Sequence, residues 1–214
     1  MIQIFEFTIL VIVVSASGVM SPGPLFAATV AYGLKKGTKA GLKISVGHTI
    51  VELPLVILLG IGVFSLESFP EFRMIISIFG AITLFVFATI QIKTIFLKKE
   101  PTSFNPKHGP IVTGILLSAL NPFFIIWWLS IGFKLISDAM LMWAFAGIFI
   151  VFALHIWMDF AWLGMVSFLA SKSSKILSNR NYKILMIGLS LMLVYFGITF
   201  LIDVITYPQS KISI

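Results

Sequence analysis

The stretch "GVMSPGPLFA", residues 18–27, decides how this chain is to be read. Ser21, Pro22, Gly23 and Pro24 stand in a row inside a run apolar enough to lie in lipid. A proline removes a backbone donor and clashes with the preceding helical turn. In hydrocarbon every backbone polar group needs a partner, so an interrupted helix is tolerated only where it lines a cavity or is buried in protein. The stretch therefore predicts a membrane helix broken on purpose.

The rest of the chain supports a membrane setting. Of its 214 residues, 59% are hydrophobic and 11% charged, which leaves too little polar surface for a soluble domain of this length. Apolar runs of about 20 residues, enough to cross a bilayer as a helix, recur along it. Six spans are expected, from about Ile4 to Leu34, Ala40 to Ser65, Arg73 to Leu97, Gly109 to Ile136, Ala139 to Ala170 and Tyr182 to Ile205. The opening MIQIFEF carries Glu6 and no Lys or Arg before Lys35. It lacks the basic start of a signal peptide, so the first span is expected to be retained.

Charge gives orientation. Lys35, Lys36, Lys39 and Lys43 surround the first loop. Lys93, Lys98, Lys99 and Lys107 flank the third, and Lys172, Lys175, Arg180 and Lys183 the fifth. Only Arg73, Lys134 and Lys211 fall on the other side. The positive-inside rule puts loops one, three and five in the cytoplasm and both termini outside, in a plasma membrane. The net charge of +7 then reflects anionic lipid, not nucleic acid. With no cysteine, disulfides, thiolate metal sites and cysteine nucleophiles are excluded.

The hydrophilic segment KKEPTSFNPKHG, residues 98–109, divides the spans three and three. An odd number per half forces opposite orientations, the arrangement of an inverted repeat. The expected organisation is residues 1–97, a cytoplasmic linker 98–108, and residues 109–214. Span four carries its own interruption, "LNPFFIIWW" at 120–128, with Asn121-Pro122 near its middle. Interrupted spans in corresponding places of two halves point to a substrate site. Ser21 and Asn121 could cap the half-helices that follow, whose N-terminal ends favour a carboxylate.

A second pattern also recurs. "GHTIVELPL" in span two sets His48 and Glu52 four apart; "LHIWMDFAWL" in span five does the same for His155 and Asp159. Residues four apart share a helix face. A carboxylate at bilayer depth must pair, protonate or line water, and usually serves function. Glu52 and Asp159 are candidate proton carriers or binders of a substrate ammonium, with His48 and His155 as partners or proton shuttles. A buried salt bridge that fixes the fold is the competing role. Glu67, Glu71 and Asp138 fall at expected loop positions and are read as solvated. Gly33, Gly37 and Gly41 repeat at helical spacing across the first loop and allow either close packing or a turn. Trp127, Trp128, Trp143, Trp157 and Trp162 are expected mostly to anchor or pack, with one or two near the breaks and acids lining a pore.

These motifs resemble the LysE/RhtB amino-acid exporter family. SPGP followed by "AYGLKKGTKAGLKISVGH", with Gly37, Gly41 and Gly47, is similar to its opening. "GILLSALNPFFIIWW", residues 114–128, resembles its Asn-Pro signature, and Asp159-x-x-Trp162 its acid and tryptophan in span five. Phe123 stands where the family often has Lys after Asn-Pro, which bears on the substrate more than on the fold. The resemblance implies an all-α membrane protein of six helices in two inverted three-helix repeats, with the first and fourth helices broken. It implies export of amino acids, lysine-like or small neutral, by proton antiport; the residue-level reading places the substrate at Ser21, Pro22, Gly23, Pro24, Glu52, Asn121, Pro122 and Asp159. Protons would be coupled through Glu52, Asp159, His48 and His155. No enzymatic role and no cofactor is expected. The partners are an amino acid, protons, lipid and a possible second copy of the chain. The rival is a divalent-metal exporter that uses the two histidine–carboxylate pairs, an N/O donor set suited to zinc, nickel or cobalt. Against it, the linker holds a single histidine, His108.

Overall fold

The computed structural model describes residues 2–21, 23–66, 72–96, 108–172 and 179–210. Pro22, Glu67, Glu71, Lys211 and most of the 98–108 linker lie outside them. The described residues form helices only: α1 (Ile2–Val19), α2 (Pro24–Lys36), α3 (Lys39–Leu66), α4 (Phe72–Phe96), α5 (Pro110–Ala119), α6 (Pro122–Trp143), α7 (Ala146–Lys172) and α8 (Asn179–Ser210). The prolines mark their starts. Pro24, Pro110 and Pro122 each stand in the first turn of a helix, where the missing N–H would have had no intrahelical partner. Gly37 closes α2 with φ 73°, a left-handed backbone that favours glycine.

Three helices are long and apolar enough to cross a membrane, over Lys39–Val63, Pro122–Trp143 and Ala146–Lys172. The pair α1 and α2, bent by 69° across the Pro-Gly-Pro break, passes as a fourth. Shorter apolar stretches run over Ser77–Ile90, Pro110–Ala119 and Leu193–Ile202. Leu58, Ile75, Phe149, Leu191 and Ile205 lie on the outside of the fold, largely exposed, as expected of side chains that meet lipid rather than water.

Both interruptions are present: Met20, Ser21 and Gly23 lie outside the helices at the first, and Leu120 and Asn121 at the second. Their capping differs. Asn121 accepts a hydrogen bond from the Phe123 N–H at 3.1 Å. Ser21 does not cap α2: the N-cap is Gly23, which has no side chain to do so, because Pro24 starts the helix three residues beyond Ser21.

Two expectations of the second half are corrected. The break between spans four and five is not at 137–138. The helix continues through Asp138 to Trp143, and the chain turns at Ala144 with φ 48°. Asp138 is therefore no solvated loop acid. It lies one turn beyond Lys134, whose Nζ donates to its Oδ2 at 2.8 Å, and Lys134 is itself buried with its ammonium over the Phe200 ring. Polar residues four apart on a helix satisfy each other, so they need not mark a loop.

α3 packs on α5 and α7, α2 on α7, and α4 on α8. Glycines set the closest approaches. A Cβ on Gly47 would lie 2.1 Å from the Ile111 carbonyl oxygen, and one on Gly114 2.3 Å from that of Ile44. On the other face of α3, a Cβ on Gly41 would meet the Leu163 carbonyl oxygen at 2.1 Å. Small residues allow backbones this close, the main means of packing helices without a hydrophobic drive. The Gly33–Gly37–Gly41 series thus does both things its spacing allowed: Gly37 makes the turn, while Gly33 and Gly41 press against α7. α3 is held between α5 and α7 with its polar face inward.

Candidate functional site

His48 and Glu52 face inward from α3, and His155 and Asp159 from α7. The two helices bring all four side chains into one cluster. His155 Nε2 lies 3.0 Å from Glu52 Oε1 and 3.4 Å from Asp159 Oδ2. His48 Nε2 lies 3.5 Å from Glu52 Oε1 and 3.7 Å from Asp159 Oδ1. Each histidine therefore meets the carboxylate of its own helix and that of the other. Sequence spacing fixed only the first of these contacts.

Hydrogen bonds outside the cluster orient it. The Ser118 hydroxyl donates to the Gly114 carbonyl at 2.7 Å. Its single proton is thereby used, so in the 2.6 Å contact between Ser118 Oγ and His48 Nδ1 the histidine is the donor. That turns His48 Nε2 towards the two carboxylates. The Trp128 indole N–H donates to Glu52 Oε1 at 3.1 Å. Trp128 opens a short π-helical segment, Trp128–Gly132, within α6, a feature that often accompanies functional sites. Its ring lies over Gly132, where a Cβ would fall 2.2 Å from the ring. Gly132 thus leaves the room in which Trp128 reaches Glu52.

The two acids differ in surroundings. Glu52 is fully buried, and its Oε1 is ringed by both histidines and Trp128. Asp159 lines a cavity of about 180 Å³, together with His48 and His155; Glu52 does not. The cavity is bounded by both helix breaks, through Ser21, Gly23 and Pro24 on one side and Asn121 on the other. Pro122 stands behind Asn121 and is exposed on the outside. Of the residues named from sequence, Ser21, Gly23, Pro24, His48, Asn121, His155 and Asp159 therefore share one cavity.

Several groups at the site were not singled out from sequence. Ser118 and Gly132 give no local signal, because their roles arise from a partner on another element or another turn. Of the tryptophans, one or two were expected to line a pore, and Trp127 and Trp128 line the cavity. Trp127 Nε1, His155 Nδ1 and Asp159 Oδ2, on residues that line the cavity, are buried with no hydrogen-bond partner, as are Glu52 Oε2, Trp162 Nε1 and Ser15 Oγ away from it, a state uncommon for buried polar atoms. Trp162 stacks on Phe26 near the α2 start, whereas Trp157 is exposed on the outer surface.

The ligand atoms of His48, Glu52 and Asp159 lie within 4.8 Å of one another, so these three side chains could also converge on a cation. The family model described as LysE type translocator matches residues 16–204, which takes in both breaks and both histidine–carboxylate pairs. No curated protein and no solved structure matches the chain.

Proposed function

The chain belongs to the LysE type translocator family and is a membrane transport protein, and on that premise we propose that it exports amino acids across the plasma membrane by proton antiport. One observation carries the reading: Asp159 reaches, from α7, a cavity bounded by two broken helices, held there only by contacts of 3.4 Å and 3.7 Å to the histidines. Such a carboxylate can hold a proton or a substrate ammonium, but not both. Their competition for one group is the minimal requirement for antiport. His48 and His155 link Asp159 to Glu52, and histidines at such positions can pass protons. The substrate site comprises Ser21, Pro22, Gly23, Pro24 and Asn121, with Asp159 as the cation site and Glu52 behind it, and Pro122 starts the half-helix that Asn121 caps. The half-helix starts at α2 and α6 favour the carboxylate end of the substrate. Residues 1–97 and 109–214 form two three-span repeats of opposite orientation, joined by the 98–108 linker, with both termini outside. The basic loops support that orientation, and the two breaks support the repeat.

Flux of labelled amino acids in proteoliposomes, with and without an imposed pH gradient, tests this. Gradient-driven movement is expected, and Asp159→Asn should abolish it while the protein still elutes as a single folded species. Normal gradient-driven flux through Asp159→Asn would sink the proposal. A second reading, a divalent cation as cargo, is favoured by the convergence of His48, Glu52 and Asp159. The same vesicles loaded with zinc or nickel and no amino acid decide between them.

A further inference from the structure

The cavity also bears on which amino acid is carried; the argument rests on the amino-acid reading of this site. Among the described residues its lining holds one carboxylate, Asp159, and neither Lys nor Arg. Glu52, which in sequence looked able to serve a second ammonium, is withdrawn behind the two histidines and Trp128. A dibasic substrate would place its second ammonium where no acid answers it. Ser17, Ser21, Ser118, Asn121 and the two histidines supply further polar groups, and the rest of the wall is apolar, with Phe26, Phe87, Phe123 and Phe124 among its largest side chains. Aromatic faces attract a cation, but they recover only part of the cost of stripping its water. The same faces suit an apolar side chain without any such cost. A volume of about 180 Å³ falls below the ~300–1,000 Å³ of pockets for drug-sized ligands, so the occupant is small.

The carboxylate end has a partner as well. Trp127 is buried to all but 4%, lines the cavity, and its Nε1 has no acceptor. Indole nitrogen is donor only, so the missing partner is an acceptor. Gly18 packs beside this donor, and a Cβ there would crowd it at 3.0 Å from Trp127 Nε1. A donor inside a cavity at bilayer depth is costly unless a polar group meets it in the working state.

We propose that the substrate is a neutral amino acid with an apolar side chain, its ammonium on Asp159, its carboxylate on the Trp127 indole N–H, and its side chain among the four phenylalanines. This makes Trp127 a substrate-binding residue and Gly18 the residue whose missing side chain leaves its indole N–H uncrowded.

The test is efflux of labelled leucine from proteoliposomes holding the full chain, with unlabelled competitors. Leucine, isoleucine, methionine and phenylalanine should compete, and kcat/KM for leucine should exceed that for lysine by on the order of 100-fold. Preferred transport of lysine or arginine would overturn the substrate class. Failure of every amino acid to move would instead overturn the amino-acid reading itself, so the two failures are distinct. For Trp127, leucine is compared with 3-methylbutylamine, the same molecule without its carboxylate. Wild type should prefer leucine, and Trp127→Phe, which keeps a ring but loses the N–H, should lower that preference about tenfold, the scale of one hydrogen bond to a charged group. Gly18→Ala should act in the same direction. A purely structural Trp127 would reduce both fluxes together, and an unchanged preference would refute its role.

Discussion

Replacing Glu52 by alanine separates the two acids. Glu52 is fully buried, and its Oε1 meets His155 Nε2 at 3.0 Å, Trp128 Nε1 at 3.1 Å and His48 Nε2 at 3.5 Å. Alanine would leave two imidazoles and an indole donor facing a void. Breaking a buried ion pair from one side costs about 3–5 kcal/mol, because the other charge stays buried without its partner. For a chain of this size, 1 kcal/mol moves a melting midpoint by about 2–4 °C. Glu52→Ala should therefore lower the midpoint by about 6–20 °C, on the same scaling. Asp159 has only contacts of 3.4 Å and 3.7 Å to the histidines, beyond good hydrogen-bond distance, and it lines the cavity. Asp159→Ala should cost no more than about 1.5 kcal/mol, the size of one ordinary net hydrogen bond, yet abolish gradient-driven flux. The assay is the fraction of detergent-solubilised protein that still elutes as a single peak after heating. Glu52→Gln, which keeps the volume and one acceptor, should fall between Glu52→Ala and wild type. The reasoning is refuted if Glu52→Ala melts with wild type, or if Asp159→Ala melts as low as Glu52→Ala.

Three further outcomes follow from individual contacts. Gly114→Ala places a Cβ 2.3 Å from the Ile44 carbonyl oxygen, so α3 and α5 must separate, at about 1–3 kcal/mol; Gly188→Ala, with open space around it, should be neutral or slightly stabilising in the same melting assay. Asn121→Ala removes the cap on the Phe123 N–H and should lower stability by about 0.5–2 kcal/mol, whereas Ser21→Ala, which removes no cap, should not. Trp128→Phe deletes the donor to Glu52 and should cost about 1.5–3 kcal/mol, the range for a hydrogen bond to a charged group; a stability equal to wild type would show that the histidines alone hold Glu52.

Much of the fold was legible because lipid simplifies the code. In hydrocarbon the backbone must satisfy itself, so long apolar runs mean helices, and the prolines at 22, 24 and 122 mean breaks. The recurrence of a histidine four residues before an acid placed His48 with Glu52 and His155 with Asp159, since one turn of helix fixes such neighbours. The same locality misled at Asp138. A charge pair one turn apart within a helix looks in sequence like a polar loop, and only the course of the chain to Ala144 showed that Lys134 and Asp138 answer each other inside α6.

Sequence by itself determined that this chain is a helical membrane protein, broken twice, with two acids and two histidines at depth. Tertiary structure alone decided how those parts divide their work. The crossing of α3 and α7, set by glycines that let backbones touch, brings both pairs into one cluster. It turns Glu52 away from the cavity and Asp159 towards it, and it leaves the buried Trp127 N–H without an acceptor beside Gly18. The physical reason is one of range: helical periodicity fixes neighbours within a turn or two, while which of two similar carboxylates meets a substrate depends on side chains brought together from distant parts of the chain.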